Sequence, residues 1–422
     1  MKISVIGLGY IGLPTATMFA SRRIPVVGVD VSPNVVDTVN QGQIHIVEPE
    51  LDMLVHAAVS EGFLRATLVP EPADAFLVAV PTPFADGYEP DLRYVRSAAL
   101  AIAPVLKAGD IVILESTSPV GTTEQLVEWL AAARPDLKFP DHGGAECDVN
   151  VAYCPERVLP GQVVRELVEN DRIIGGITPA CAARANEVYR VFVQGRLIVT
   201  NARTAEMCKL TENAFRDVNI AFANELSVIC DKLGIDVWEL IRLANHHPRV
   251  NILKPGCGVG GHCIAVDPWF VVSSAPDEAK LIRSAREIND AKPEWVLDKI
   301  DEAVEAIRQK NPARHRSDLT IACYGLAFKP NIDDLRESPA LHIVQALARR
   351  FEGNVLAVEP HIQELPQGLT GVRTASIDGA LAAADVNVVL VAHNAFMESD
   401  ALRAREPLDF TGIFATQATE QR

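Results

Sequence analysis

The sequence predicts an α/β protein that opens with a doubly wound parallel sheet. Three observations carry this expectation. The runs ISVIG, VVGVD, AFLVAV, DIVILES and DVNVAYC are short, apolar and β-branched, without the alternation of a half-exposed strand. Strands buried on both faces read this way. Segments with helical patterning separate them, which gives successive βαβ units. Finally, the chain has 422 residues, more than the roughly 250–300 at which a single core stops growing, so several domains are expected.

Composition narrows the function classes. Hydrophobic residues make up 48% and charged residues 22% of the chain, an ordinary globular balance that excludes a disordered or fibrous protein. With 39 basic and 55 acidic residues the net charge is −16, which argues against nucleic-acid or anionic-membrane partners. An anionic ligand must then be held by a few local basic groups. The eight cysteines include no CxxC pair, which fits reduced thiols in a cytoplasmic protein better than a zinc ribbon or a disulfide framework. Residues 3–21 are apolar enough to suggest a membrane span, but Gly7, Gly9, Gly12 and Pro14 interrupt them.

Those glycines have a chemical explanation. The segment ISVIGLGYIGLPTA reads as a strand, then Gly7-x-Gly9-x-x-Gly12, then a helix. Gly7 permits the tight turn, Gly9 lets backbone approach a pyrophosphate, and Gly12 lets helix and strand pack closely. The amides of Tyr10 and Ile11 are the natural donors to that anion. Asp30 ends the second strand eighteen residues past Gly12, where a carboxylate accepts hydrogen bonds from a ribose diol and repels a 2′-phosphate. A Rossmann domain holding NAD is expected. Further along, Thr82 and Ser116–Thr117 fall at carboxyl ends of strands, where ligands bind, and Thr122–Thr123 open the next helix. Each of these is equally compatible with turn and capping chemistry.

From Arg203 to Gly234 the pattern changes. Phe215, Val218, Phe222, Leu226 and Ile229 recur at spacings of three and four, which predicts a long helix, and Val237–Asn245 predicts a second. This helical region is either a dimerisation element or a spacer. Lys209, Asn213 and Arg216 share one helical face. They read as an acid/base or oxyanion group, a residue orienting water, and an anion contact, or as a solvated stripe with Glu206 paired to Lys209. The polar stretch Gln309–Asp318 reads as a linker. LTIACYGLAF, NVLAVEP and VNVVLVAH then predict a second, smaller α/β domain, with Gly325 after its first strand but no dinucleotide fingerprint. The expected organisation is an NAD domain at 1–195, a central helical and dimerisation region at 200–308, and a Rossmann-like domain at 316–422.

The stretch NHHPRVNILKPGCGVGGHCIAVDPW carries Gly256, Gly258, Gly260 and Gly261, then Cys263 and Asp267. Its glycines are expected to let backbone pack closely against a ligand. A thiol there suggests covalent chemistry, because cysteine adds to an aldehyde and the adduct can lose hydride to become a thioester. A metal set of Cys257, His262, Cys263 and Asp267 fits no familiar zinc spacing. Basic groups suited to a diphosphate are His247 and Arg249 in HHPR, and Lys329 and Arg336 in AFKPNIDDLRESP. Glu156 and Arg157, in YCPERVLPG, complete the set.

Taken together, GLGYIGLP, STSPVGT, CPER, KLTEN, GVGGHC and FKPNIDDLRESP resemble the nucleotide-sugar 6-dehydrogenases, which include UDP-glucose, GDP-mannose and UDP-N-acetylhexosamine dehydrogenases. The resemblance covers all but about the last thirty residues. It implies NAD-dependent oxidation of a UDP-sugar at C6, a homodimer, and a C-terminal domain that holds the UDP moiety. By analogy Cys263 is the nucleophile and Lys209 the acid/base or oxyanion group, with Asn213, Asp267 and Glu156 in support. Thr82, Thr117, Thr123 and Arg336 would lie on the cofactor side. Arg157, Val158, Arg216, His247, Arg249, Gly260, Phe328 and Lys329, with Lys209 and Asn213, would contact the nucleotide sugar. The UDP-glucose enzymes place a phenylalanine and a second glutamate after the glutamate of this motif. Here Glu156 is followed by Arg157, Val158, Leu159 and Pro160, which fits the N-acetylhexosamine branch.

Overall fold

Apolar runs of four or five residues become strands because each can be covered on both faces. A computed structural model describes residues 1–415 apart from 47, 85–87, 142–145, 160, 262, 363 and 367. Within it the chain forms two compact units, Met1–Glu212 with Ser273–Pro276, and Asn213–Val272 with Asp277–Arg422.

The first unit is built on eight strands: β1 (Ile3–Ile6), β2 (Val26–Val29), β3 (Leu64–Thr67), β4 (Ala75–Val78), β5 (Ile111–Leu114), β6 (Asn150–Tyr153), β7 (Arg172–Gly176) and β8 (Leu197–Asn201). Their order is β3-β2-β1-β4-β5-β6-β7-β8. The first six strands follow the 3-2-1-4-5-6 dinucleotide-binding order, with its crevice where β1 parts β2 from β4. All pairings are parallel except β6 with β7. Two apolar clusters cover the sheet, one around Phe19, Leu13 and Tyr189, the other around Phe76, Ile102 and Leu126. The sheet runs past the expected boundary at 195, because β8 pairs with β7 and leads straight into the long helix Ala202–Leu233.

The second unit carries a parallel five-stranded sheet, β9 (Thr320–Tyr324), β10 (Asn354–Val358), β11 (Val372–Thr374), β12 (Val386–Val389) and β13 (Leu408–Asp409), in the order β11-β10-β9-β12-β13. The region expected as a separate segment at 200–308 has no core of its own. Its helix Lys280–Lys310 buries Val296, Leu297, Ile300 and Val304 in the cluster of Ile321, Val344 and Val388. A lone helix cannot cover its own apolar stripe, so it borrows the neighbouring sheet's core. None of the eight cysteines forms a disulfide. No described helix is long and apolar enough to cross a membrane.

The long helix is amphipathic in an inverted sense. Of the expected apolar stripe, Phe215, Phe222 and Ile229 are 67%, 51% and 45% exposed, while Val218 and Leu226 are half-buried. The buried face instead holds Asp217, Asn224 and Ser227. Asp217 pairs with buried Arg286 at 2.6 Å, Asn224 accepts from the Gly256 amide at 2.8 Å and donates to Asn289, and Ser227 accepts from Lys292 at 2.6 Å. Lys292 lies 3.4 Å from the centre of the Trp295 ring. Burial pushes its ammonium down to about 7, with only partial compensation from Cys257 and Asp231.

That depressed value has a thermodynamic consequence. Between pH 7 and the lysine's ordinary pKa the unfolded chain binds more protons at this site than the folded one, so stability rises with pH. Comparing wild type with Lys292→Met by denaturant unfolding isolates the effect. The wild type should gain about 2 kcal/mol relative to the variant between pH 7 and pH 9. A pH-independent difference would mean that Lys292 is fully charged in the folded chain.

Candidate active site

The turn after β1 is shaped by two close approaches and one gap. Gly7 has φ +92°, and a Cβ there would lie 2.5 Å from the Ala79 carbonyl oxygen. A Cβ at Gly12 would lie 1.8 Å from the Gly7 carbonyl oxygen, so helix Gly12–Ser21 can start this close to β1 only on glycine. A Cβ at Gly9 would meet nothing within 4 Å. The open side of the turn is therefore at Gly9, flanked by Tyr10 and Ile11, where a pyrophosphate would need it. Asp30 is held at the end of β2 by two amides: Leu8 donates to Oδ2 at 3.0 Å and Ser32 to Oδ1 at 2.9 Å. Its carboxylate remains half-buried, not sealed. These residues fit NAD.

The other strand-end residues divide. Thr82 donates to the Thr117 carbonyl at 2.6 Å, tying those two segments together. Thr123 takes the capping role. Its amide and hydroxyl both donate to Glu206 Oε1, at 2.8 and 2.6 Å, and the side chain is fully buried. No donor remains there for a cofactor. The same contacts correct the pairing of Glu206 with Lys209, since the Glu206 carboxylate is buried on the start of helix Thr122–Ala133.

Glu156 and Arg157 are engaged within the first unit. Glu156 Oε2 meets the buried Arg172 guanidinium at 3.0 Å, and its Oε1 accepts from the Arg157 amide at 2.6 Å. Arg172 also lies 4.0 Å from Glu115, which accepts from the Tyr189 hydroxyl at 2.6 Å. Burial pushes the Glu115 carboxyl up to about 7, opposed by Arg172 and Tyr189. Arg157 pairs with Glu212 at 2.6 Å, and Val158 packs against the core. The sequence reading missed Arg172, whose signal was a charge opening an otherwise apolar strand.

In the second unit, residues far apart in sequence converge. Asn213 donates to Asp267 Oδ2 at 2.5 Å. Asp267 is buried at the start of helix Asp267–Ser274, and its amide donates to the Cys263 carbonyl at 2.9 Å. The turn that results leaves the Cys263 side chain exposed. By contrast, burial pushes the thiols of Cys154 and Cys257 up to about 11 and 12, which makes them inert. Lys209 is half-buried one helical turn before Asn213, and Arg216, His247, Arg249 and Lys329 are exposed. Of the residues considered for a metal, His262 lies outside the described ones, as does Pro160.

Part of the glycine loop packs closely against protein: Cβ atoms at Gly258 and Gly260 would lie 3.1 Å from Pro339 and 2.6 Å from the Glu337 carbonyl oxygen, while one at Gly256 would meet nothing within 4 Å. A Cβ at Gly261 would lie 2.9 Å from the Phe328 ring. The Gly261 amide donates to the Arg336 carbonyl at 3.1 Å, while the Arg336 side chain pairs with Asp334. The loop bearing Cys263 is thus seated on the segment that carries Phe328, Lys329 and Arg336.

Comparison with known proteins accords with this geometry. The UDP-glucose/GDP-mannose dehydrogenase family matches in three parts: its NAD-binding domain over residues 1–193, its central domain over 203–291 and its UDP-binding domain over 322–417. A relative from Ralstonia nicotianae, described as NDP-N-acetyl-D-galactosaminuronic acid dehydrogenase, is 64% identical across 98% of this chain and 96% of its own. The UDP-N-acetyl-D-mannosamine dehydrogenase of Escherichia coli is 62% identical across 98% and 99%. Among solved structures, UDP-D-ManNAc dehydrogenase from Pyrococcus horikoshii superposes with a TM-score of 0.86 at 40% identity, covering 98% of this chain and 96% of that one. An NAD-binding turn, a thiol presented beside a carboxylate–amide pair and a three-part match along the chain together establish that this protein belongs to the UDP-glucose/GDP-mannose dehydrogenase family.

Proposed function

We propose that the protein oxidises the C6 hydroxyl of UDP-N-acetyl-D-mannosamine to the carboxylate in two NAD-dependent steps. The observation that carries this reading is the exposed Cys263 on a turn whose carbonyl is bound by the Asp267 amide, with Asn213 fixing the Asp267 carboxylate. A single two-electron oxidation has no use for that thiol.

Lys209, or a water on Asp267, takes the alcohol proton as the first hydride leaves. The Cys263 thiolate adds to the resulting aldehyde carbon, giving a thiohemiacetal and retaining a reactive intermediate on the protein. Lys209 and Asn213 stabilise the oxyanion formed in that addition, and loss of a second hydride then gives a thioester. Water placed by Asp267 cleaves the thioester and restores the thiol. One alcohol and one water thus become a carboxylate, with two hydrides and three protons released. NAD, when bound at the Gly9 turn and Asp30, supplies the hydride acceptor. Glu156 acts through the buried Arg172 pair, fixing Arg157 and Val158, which we assign to the sugar nucleotide. Arg216, His247, Arg249, Gly260, Phe328 and Lys329 complete the substrate contacts, and Arg336 serves the cofactor side. Thiol chemistry of this kind suits the reducing cytoplasm.

A second sugar is favoured by one observation. The relative at 64% identity bears the galactosaminuronic name, against 62% for the mannosamine enzyme. Epimers differ by roughly 1–3 kcal/mol of contact, which identity at this level does not decide. NADH counted per sugar across UDP-N-acetylmannosamine, UDP-N-acetylgalactosamine, UDP-N-acetylglucosamine and UDP-glucose separates them. The expected result is two NADH per UDP-N-acetylmannosamine, at the highest kcat/KM of the panel. Cys263→Ser should bind sugar and NAD but stop making acid, since a serine hydroxyl is not appreciably ionised at neutral pH. Two NADH per sugar at the wild-type rate in that variant would falsify the thioester route.

Asp30 sets the cofactor. Asp30→Ala should raise KM for NAD and narrow the preference over NADP, because it removes both a diol acceptor and the repulsion of a 2′-phosphate. Equal wild-type activity with both cofactors would remove that role.

The exposed stripe Phe215, Phe222 and Ile229 supports a homodimer, since a monomer rarely leaves such a row in water. Phe222→Glu should shift the protein from dimer to monomer in sedimentation. An unchanged dimer would place the interface elsewhere.

A further inference from the structure

The second unit repeats the first unit's turn with one substitution of purpose. In the first, the Gly7 amide donates to the Val29 carbonyl at 2.8 Å and Asp30 accepts from Leu8 and Ser32. In the second, the Gly325 amide donates to the Val358 carbonyl at 2.9 Å, and Glu359 accepts from Leu326 at 2.7 Å and from His361 at 3.1 Å. The glycine, the strand-end acid and both amides correspond in position. The second unit adds a cap: the Glu359 side chain is 3% exposed and meets fully buried His393, whose Nε2 lies 3.1 Å from Oε2. Where the first unit leaves space at Gly9, the second has Ala327, which is buried. A carboxylate sealed in this way has no face left for a ribose.

Its partners show what it does instead. The Asn331 amide donates to His393 Nδ1 at 2.9 Å. Nδ1 therefore carries no proton, and Nε2–H is the donor to Glu359. Glu359 Oε2 also accepts from the Ala327 amide at 3.2 Å. Asn331, at φ +61°, exchanges two hydrogen bonds with Asn394, at 3.0 and 3.1 Å. Ser338 donates to the Leu326 carbonyl at 2.6 Å. The segment 326–331 is thus fastened at both ends, and between the fastenings stand Phe328 and Lys329. An apolar pair would hold β10 to β12 as well, without burying a carboxylate. A fully satisfied polar network instead fixes one geometry.

We propose that His393 and Glu359 are positioning residues for the sugar nucleotide, locking segment 326–331 so that Phe328 and Lys329 are set before substrate arrives. This rests on the reading of Phe328 and Lys329 as nucleotide contacts. The pair touches no substrate, and its effect is on binding, not on chemistry.

The test uses the full-length protein, titrated calorimetrically with UDP and assayed with the sugar nucleotide that wild type oxidises best. His393→Leu should weaken UDP binding and raise sugar KM by about tenfold, with kcat and the KM for NAD within about twofold of wild type. Asn331→Gly tolerates the positive φ and deletes only the surface link to Asn394, so it remains decisive if the buried variant does not fold. It should raise sugar KM by about threefold. In a Lys329→Ala background, His393→Leu should add less than about twofold, because the contact it positions is already gone. Unchanged UDP affinity in folded His393→Leu overturns the role of His393 and Glu359, unchanged affinity in Asn331→Gly overturns the locking of segment 326–331 on which that role depends, and a fall in kcat at constant KM overturns both. If Lys329→Ala itself leaves UDP affinity intact, the nucleotide contact assigned to Lys329 fails instead, a different and recognisable result.

Discussion

Backbone amides in the turn after a central parallel strand point away from the sheet ladder and need an acceptor. In both units a carboxylate at the end of the adjoining strand provides it: Asp30 for Leu8, Glu359 for Leu326. Everything nearby inherits its position from that bond. In the first unit it fixes the glycine turn against β2 through Leu8 and Ser32. In the second it fixes a turn whose acid is closed over by His393. One topological device therefore serves once as a receptor for a ligand and once as an internal fastening.

The long helix shows a second economy. Its buried side carries polar groups among alanines, each with a specific partner, and its exposed side carries Phe215, Phe222 and Ile229. Asp217, Asn224 and Ser227 would be costly to bury singly, yet each is matched by Arg286, Asn289 with Gly256, or Lys292. The Asn224 bond to the Gly256 amide is the one with functional reach, since it anchors the start of the loop that ends at Cys263. The turn that presents the exposed thiol is held by the Asp267 amide on the Cys263 carbonyl.

Much of the fold was legible because its strands are continuous apolar runs and its first turn is written in glycines. The five strands read from sequence in the first unit, and the three in the second, are all present. Those missed have physical reasons for being faint. β3 alternates, β7 opens with a buried arginine, and β8 is an edge strand with Ile198 and Val199 exposed. The sequence placed Asn213 and Asp267 in supporting roles by analogy but did not show the hydrogen bond between them. Glu206 and Thr123 could not be read, because a carboxylate one turn from a lysine looks like its partner until the fold carries it to another helix. The glycines at 258, 260 and 261 were legible as close contacts, but not what they contact. Arg172, Glu359 and His393 lay outside the motifs, and only tertiary contacts give them meaning.

In both sheets the first strand is an interior one: β1 lies between β2 and β4, and β9 between β10 and β12. Each sheet therefore grows from an interior strand in both directions. β1 waits only for Val26 to cover one edge but until Ala75 for the other. Through that interval its second edge is bare. One face of β1 and β2 already has Leu13, Phe19 and Val55 to cover it, but Ile6, Val27 and Val29 on the other face wait for Phe76, Val95 and Ile102. Long-range parallel pairing is slow to form, and a half-covered sheet exposes apolar surface on which chains associate. The arrangement that places the crevice beside β1 thus also leaves that strand half-covered until β4 is in place.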